Sequence, residues 1–266
     1  HVLDLTTDFT VEAWLKLSIQ NNNRDILRKG NIRYLYWDNS FESVSGKGIQ
    51  INLPGLNTGW WEFQMDMSYD RWYHVAYSFS SEGELKAYIN GVNIRTGSFS
   101  GMITTNAQDM IIASGMDALP YLGEMDELRI WNVIRSQDEI REFMHRTLTG
   151  LEPGLVSYWQ FNESTGDQLT DKMGANKGIL YNMDNSGWVS STAPLPFISR
   201  QAGDWESETT WLAGQIKPDS SWSRVRVRHD VSLNTHKELT DLVIEEGSLT
   251  VIPATHLTVI DSLHNS

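Results

Sequence analysis

The chain has 266 residues, no cysteine and a formal net charge of −13 at pH 7. Without cysteine, a disulfide framework, a thiol nucleophile and a thiolate metal site are excluded. The acidic balance argues against nucleic acid as a partner, since that binding depends on lysine and arginine, and no apolar run approaches the ~20 residues that span a bilayer, so we expect no membrane insertion.

Alternating apolar and polar residues predict strands in the first part of the chain. Residues 9–17 (FTVEAWLKL) and 71–79 (RWYHVAYSF) place every second side chain on one apolar face, as in a half-buried strand. Asn90-Gly91 ends another alternating run and tolerates the positive φ of a type I′ hairpin turn. Many short strands with turns between them predict an all-β, antiparallel two-sheet sandwich.

Two segments combine aromatic rings with polar neighbours, YWDN at 36–39 and NTGWW at 57–61. Aromatic rings offer flat apolar faces that can stack on sugar rings, and polar neighbours can hydrogen-bond to sugar hydroxyls. We predict a ligand-binding site formed by Trp60, Trp37, Asp38 and Asn39, with Trp60 at a loop end as the stacking platform. The alternative is that these tryptophans pack inside the sandwich.

A further strand at residues 123–131 (GEMDELRIW) breaks the alternation of apolar residues. Met125, Leu128 and Ile130 are its apolar positions, and the step from 125 to 128 is odd. A β-bulge near Asp126 and Glu127 would restore the alternation, because it inserts one extra residue into the strand.

One short helix is predicted after this strand. Ser136 and Glu139 have the spacing of a capping box, in which each side chain satisfies a free amide at the helix start. Apolar residues then follow at helical spacing, which predicts one helix packed by one face: Ile140, Phe143, Met144 and Leu148.

These segments resemble the concanavalin A-like laminin G domains of large secreted bacterial proteins, over residues 1 to about 197. The segments that carry the resemblance are residues 9–17, 71–94, 123–148 and 155–182. The resemblance implies a jelly-roll fold, carbohydrate recognition or cell adhesion, and a secreted or cell-surface location. It also implies a structural calcium ion near the late strand, with Asp126 as a ligand and Asp171 as a second candidate, since calcium takes six to eight oxygen ligands.

Catalysis is not expected. Glu124-Met125-Asp126-Glu127 superficially resembles the catalytic motif of jelly-roll glycosidases, but in a regular strand Glu127 points away from the other two carboxylates, and position 128 is leucine. A retaining glycosidase needs two carboxyl groups on one face, about 5 Å apart. No metalloprotease or serine-hydrolase motif is present, and we interpret His74 as a packing or hydrogen-bonded histidine.

The organisation changes at residues 193–197, where two prolines flank an apolar pair and predict a domain boundary. We therefore predict a jelly roll at 1–197 and a β-rich repeat segment at 198–266. The segment contains strand-like runs at 225–227, 242–244, 249–251 and 257–259. It resembles the opening of a parallel β-helix, through Gly203, Trp205, Trp211, Pro218 and Val225. Its strands are interpreted as rungs of a small β-solenoid or, alternatively, as an ordinary meander.

The sequence thus favours a non-catalytic binding module, with a glycan or cell-surface partner and a structural calcium ion. One alternative is a structural spacer or protein-interaction module without a small ligand. A second alternative is a polysaccharide-degrading hydrolase or lyase of jelly-roll fold. Because His1 begins almost inside a strand pattern, we expect the chain to be part of a longer polypeptide.

Overall fold

The computed structural model describes residues 3–19, 22–38, 47–113, 120–181, 184–214 and 216–265. The chain divides into two compact units. Unit 1 comprises residues 1–140 and 149–189, and unit 2 comprises residues 141–148 and 190–266. Among the residues described, no helix is long and apolar enough to cross a membrane.

The strands of unit 1 form two main antiparallel sheets and a two-stranded hairpin. They are β1 (Phe9–Leu17), β2 (Arg24–Lys29), β3 (Ile32–Asp38), β4 (Gly48–Asn52), β5 (Trp60–Glu62), β6 (Trp72–Phe79), β7 (Glu84–Ile89), β8 (Val92–Ser98), β9 (Met110–Ile112), β10 (Gly123–Trp131), β11 (Leu155–Trp159), β12 (Gln168–Leu169) and β13 (Gly178–Ile179). The six-stranded sheet has the order β11-β10-β1-β6-β7-β8, the five-stranded sheet has the order β5-β4-β3-β2-β9, and β12 pairs with β13.

The core of unit 1 lies between the two large sheets. Phe9 and Tyr77 of the six-stranded sheet belong to the same buried cluster as Tyr34 and Phe63 of the five-stranded sheet. The ring centroids of Phe9 and Tyr34 are 6.3 Å apart, and those of Phe63 and Tyr77 are 6.4 Å apart. The predicted antiparallel sandwich is therefore confirmed, and its two sheets are consistent with a jelly roll.

The outer face of the six-stranded sheet is buried as well, which the alternating pattern did not predict. Trp14 and Trp72 point away from the core but are each only 1% exposed. Part of this face is covered by the residues that follow β10: Ile140 packs with Ala76 and Tyr88. Apart from Lys16, the aromatic and polar residues at the outward positions of β1 and β6 are therefore interior residues.

The bulge, hairpin turn and helix cap form as predicted. Glu12 of β1 opposes Arg129, whereas Trp14 opposes Asp126, so the register shifts in between. Glu127 carries the bulge conformation with φ 53°. Helix α1 (Gln137–Met144) starts with the Ser136–Glu139 capping box, in which the Glu139 N–H donates to Ser136 Oγ (3.2 Å) and the Ser136 N–H donates to Glu139 Oε2 (2.8 Å). In the hairpin, Asn90 and Gly91 have φ values of 50° and 75°.

Unit 2 contains the second half of α1, a 3₁₀ helix at Glu208–Thr210 and two parallel sheets; a further 3₁₀ helix at Asn185–Gly187 lies in unit 1. The strands of unit 2 are β14 (Phe197–Ile198), β15 (Gly203–Asp204), β16 (Arg224–Val227), β17 (Val231–Leu233), β18 (Lys237–Ile244), β19 (Leu249–Val251) and β20 (Leu257–Asn265). Their orders are β14-β16-β18-β20 and β15-β17-β19, and every pair is parallel. The meander alternative is therefore wrong, because a meander pairs successive strands antiparallel.

Two tryptophans anchor the start of unit 2. Trp205 and Trp211 are fully buried, with ring centroids 4.8 Å apart at an interplanar angle of 71°. Their indole N–H groups donate to Pro218 O (3.0 Å) and Trp205 O (2.9 Å), which satisfies the polar edge of each ring inside the core. Phe197 pairs with Val225, so residue 197 lies in a strand of unit 2.

Candidate functional site

Eight side chains form two rows across β2, β3, β4 and β5 on the outer face of the five-stranded sheet. Directly opposed residues of an antiparallel pair share a face. The register therefore gives one row of Asp25, Tyr36, Gln50 and Glu62, and a second row of Arg28, Arg33, Asn52 and Trp60. The residues that alternate with these rows along β4 and β5 point into the core: Ile49, Ile51 and Trp61. We call these eight residues the aromatic–polar face.

Irregular strands bring these residues onto one face. Register shifts in β2 and β3 bring Asp25 and Arg28, and likewise Arg33 and Tyr36, to the same side although they are three residues apart. In a regular strand, residues three apart would point to opposite faces. The bulges therefore give the face its ionic residues.

The exposed aromatic group of this face is Trp60, which is 52% exposed. Its ring centroid lies 4.7 Å from that of Tyr36, at an interplanar angle of 42°. Gly59, with φ 57°, adopts the left-handed conformation immediately before it. Trp60 is thus supported by a second ring and presents apolar surface to solvent.

Two side-chain amides of β4, those of Gln50 and Asn52, lie beside the rings of Tyr36 and Trp60. Gln50 Nε2 donates to Asp38 Oδ2 at 2.5 Å, and Asn52 Nδ2 donates to Gly59 O at 2.9 Å. These donations hold both amide groups in place. Their carbonyl oxygens are then available to accept hydrogen bonds from hydroxyl groups of a ligand.

An ionic group forms the other end of the face. The Asp25 carboxylate pairs with Arg33 Nε and lies 3.4 Å from Arg28 Nη1. Arg33 Nη1 also donates to Gly30 O at 3.2 Å. Arg28 is 1% exposed, and within the described part of the chain its Nε has no hydrogen-bond partner. Two positive charges therefore share one negative charge.

The residues predicted for ligand binding do not all lie on this face. Trp60 does, and its exposure suits a stacking platform. Trp37 is fully buried, because it opposes Ile49 on the core side of the sheet, and its ring packs 5.8 Å from that of Tyr69. Its predicted role as a platform is therefore wrong. Asp38 lies on the same side of the sheet as Tyr36, is 5% exposed and accepts a hydrogen bond from the Gln50 amide. Asn39 lies outside the described residues.

Sequence reasoning missed Arg33, Gln50 and Asn52. Each is an ordinary polar residue in a strand pattern, and no local motif distinguishes it. The missing signal is the pairing register, which places residues from separate strands beside Tyr36 and Trp60.

The two predicted calcium ligands are buried, and the surroundings of Asp171 do not fit a cation. The carboxylate of Asp171 accepts backbone N–H bonds from Tyr158 (2.9 Å), Met173 (3.0 Å) and Asn176 (2.9 Å). Asp126 is 4% exposed and opposes Trp14. Over the described ranges, no group of three or more histidine, aspartate or glutamate side chains could hold a metal ion.

The carboxylates of β10 are each held by a cation or are buried. Glu124 pairs with Lys16 at 2.7 Å, and Glu127 pairs with Arg129 at 2.5 Å and accepts a hydrogen bond from the Tyr158 hydroxyl. Glu127 would point away from its neighbours in a regular strand, but the predicted bulge turns it to the outer face. Glu127 is nevertheless only 2% exposed, so it has no access to a solvent-borne substrate.

A buried ionic cluster, which we define as Glu12, His74, Glu127, Arg129 and Tyr158, lies on the outer side of the six-stranded sheet. Arg129 Nη1 is 3.5 Å from Glu12 Oε1, and His74 Nε2 is 3.4 Å from Glu12 Oε2. Burial alone would raise the pKa of Glu12, but His74 and Arg129 outweigh it and lower that pKa to about 2. Burial lowers the pKa of His74. His74 is thus a buried hydrogen-bonded histidine, as predicted.

The two-sheet sandwich places unit 1 among the all-β jelly-roll domains. More specifically, the chain belongs to the concanavalin A-like lectin/glucanases superfamily, because the Laminin_G_3 family model matches residues 1–141. No curated protein matches the sequence significantly.

One solved structure shares the fold, and two further matches have lower scores. A protein from Bacteroides ovatus, described as a candidate carbohydrate-binding protein, aligns with a TM-score of 0.54 at 19% identity, over 65% of this chain and 54% of that one. Domain 4 of the extracellular GH43 arabinanase AbnA from Geobacillus stearothermophilus, in complex with arabinotriose, gives 0.41 at 18% identity, over 52% and 67%. The Ruminococcus gnavus IT-sialidase CBM40, bound to α2,3-sialyllactose, gives 0.40 at 17% identity, over 52% and 82%. The chain spans about half the length of the first of these structures.

Proposed function

We propose that unit 1 is a non-catalytic carbohydrate-binding module and that the aromatic–polar face is its binding site. The observation that carries the proposal is the half-exposed ring of Trp60, which stands beside the fixed amides of Asn52 and Gln50. An apolar ring next to oriented hydrogen-bonding groups matches the two kinds of surface on a sugar. The superfamily and the description of the Bacteroides ovatus protein agree with this role.

A glycan array probed with the whole chain tests the proposal, with and without calcium. Trp60→Ala should weaken the binding of any positive glycan by roughly thirtyfold, equivalent to about 2 kcal/mol for a central aromatic contact. Tyr181→Ala is the matched control, because Tyr181 is 80% exposed and lies outside the face. Unchanged affinity in Trp60→Ala would remove the face from consideration, and absence of binding to every glycan would count against the function.

The second candidate function is a spacer or protein-interaction module without a small ligand. The burial of Trp37 favours it, because one of the two predicted platforms is lost. A hydrolase or lyase is less well supported, since Glu127 is buried and Glu124 is paired with Lys16.

For the whole protein we propose display outside the cell on a longer polypeptide, with unit 2 as the opening of a β-solenoid. Support for the solenoid comes from apolar columns that run through successive parallel strands. One column is Phe197, Val225, Leu242 and Leu263, of which the first three are buried and the last is 63% exposed. A structural calcium ion at Asp126 remains a prediction, and an Asp126→Asn variant whose melting temperature in saturating calcium equals that of the wild type would remove it.

A further inference from the structure

We propose that the aromatic–polar face selects glycans that carry a carboxylate group, an inference that rests on the carbohydrate-binding function proposed above. The accessible charge on this face is cationic. The Arg33 side chain is 17% exposed, whereas Asp25 is 6% exposed, Arg28 1% and Glu62 8%. A ligand that approaches the face therefore meets a guanidinium group before it meets a carboxylate.

The ionic end of the face carries more positive than negative charge. Asp25 is the carboxylate between Arg28 and Arg33, so the three side chains together carry one unit of positive charge. The buried Nε of Arg28 lacks a hydrogen-bond partner among the described residues. A buried cation that is only partly compensated favours an additional anion nearby. This is a local exception in a chain whose formal net charge is −13.

The spacing suits a short oligosaccharide. Trp60, Asn52 and Arg33 occupy successive strands of one row. Neighbouring strands are about 4.8 Å apart, so Trp60 and Arg33 are separated by about 10 Å. One sugar ring can stack on Trp60 while the carboxylate of a neighbouring sugar reaches Arg33, whose planar fork can bind it through two hydrogen bonds.

The negative groups close to the aromatic pair are less exposed than Arg33. Asp38 and Glu62 are 5% and 8% exposed, and both have partners within the protein. Asp38 accepts the Gln50 amide at 2.5 Å. Like Arg28, they are buried, so the selectivity depends on Arg33, the most exposed charged side chain of the face.

The test is a glycan array printed in two forms, one with native carboxylates on uronic and sialic acids and one with those carboxylates methyl-esterified. Esterification keeps each sugar ring and removes its charge. We expect binding to the native form to exceed binding to the ester by about tenfold or more, and to weaken between 50 mM and 500 mM NaCl as salt screens the contact. The uronic and sialic glycans show separately which source of carboxylate is preferred.

Three variants locate the selectivity. Arg33→Gln should bind both forms equally, Arg33→Lys should keep part of the preference because the charge remains, and Trp60→Ala should lose both forms. Arg200→Gln is the control, since Arg200 is exposed and lies in unit 2. Melting temperatures of all variants show whether each is folded.

The outcomes separate the two proposals. Equal binding to native and esterified glycans, or binding to neutral glycans alone, overturns the selectivity while leaving carbohydrate binding intact. A folded Arg33→Gln variant that still discriminates also overturns it. Absence of binding to both forms and to every neutral glycan contradicts the carbohydrate-binding function itself.

Discussion

Replacing Arg129 with methionine should destabilise unit 1 strongly, because it removes the positive charge between two buried carboxylates. Arg129 is 0% exposed, and its partners Glu12 and Glu127 are 1% and 2% exposed. Breaking a buried ion pair from one side costs about 3–5 kcal/mol, since the remaining charge has neither water nor a counter-ion. For a unit of this size, that corresponds to a loss of roughly 6–20 °C in melting temperature.

The stability of the variant relative to the wild type should depend on pH. In the wild type, the pKa of Glu12 falls from 4.5 to about 2 on folding, so the unfolded chain binds more protons in that range and stability falls as the pH is lowered through it. In Arg129→Met, Glu12 loses its buried cation, and its pKa should rise above that of the unfolded chain. The variant should therefore regain stability relative to the wild type as the pH is lowered from 7 to 5.

Urea denaturation at pH 7 and pH 5, followed by tryptophan fluorescence, measures both effects. Arg200→Met serves as the control, because Arg200 is exposed. A loss below about 1 kcal/mol at pH 7, the value of a surface ion pair, would refute the assignment of Arg129 as the essential cation of the buried ionic cluster. An equal loss at both pH values would refute the protonation argument.

Three further predictions follow from single contacts. Ser136→Ala should cost about 1 kcal/mol, because the Glu139 N–H loses its acceptor at the start of α1; an unchanged melting temperature would mean that the cap contributes nothing. Asp171→Asn should cost about 2 kcal/mol through its backbone hydrogen bonds, equally in calcium and in chelator; a loss seen only in calcium would point to a metal role instead. Burial lowers the pKa of His74 below 6.5, so the unfolded chain takes up a proton on this histidine at a higher pH than the folded chain does. Wild-type stability should therefore decline as the pH falls below about 6.5. This decline should be absent in a folded His74→Gln variant measured in the same titration.

The two outer faces of the sandwich use polar residues in opposite ways. On the six-stranded sheet, Glu12, Glu127 and Arg129 are buried and form ion pairs with one another, so they are closed to ligands. On the five-stranded sheet, Trp60 and Arg33 retain exposure above a set of buried partners. Only the second arrangement can bind a molecule from solution without unfolding the protein.

Local sequence determined the secondary structure of this protein to a large extent. The hairpin at Asn90-Gly91, the Ser136–Glu139 cap and the bulge at Glu127 all occur where the sequence placed them. Each depends on residues close together in the chain: positive φ at a turn, a side chain that reaches its own helix start, or one extra residue in a strand. These features need no knowledge of distant partners.

Tertiary structure alone decided which residues share the aromatic–polar face. The sequence favoured Trp60 as the platform because it follows Gly59 at a loop end, but it kept Trp37 in the same site; only pairing with β4 sends Trp37 to the core and Trp60 to solvent. The direction of Glu127, the parallel pairing in unit 2 and the meeting of Arg33 with Trp60 depend in the same way on partners distant in the chain. Local propensity fixes the conformation of a strand, but register and the burial of its face are set by the other strands against which it packs.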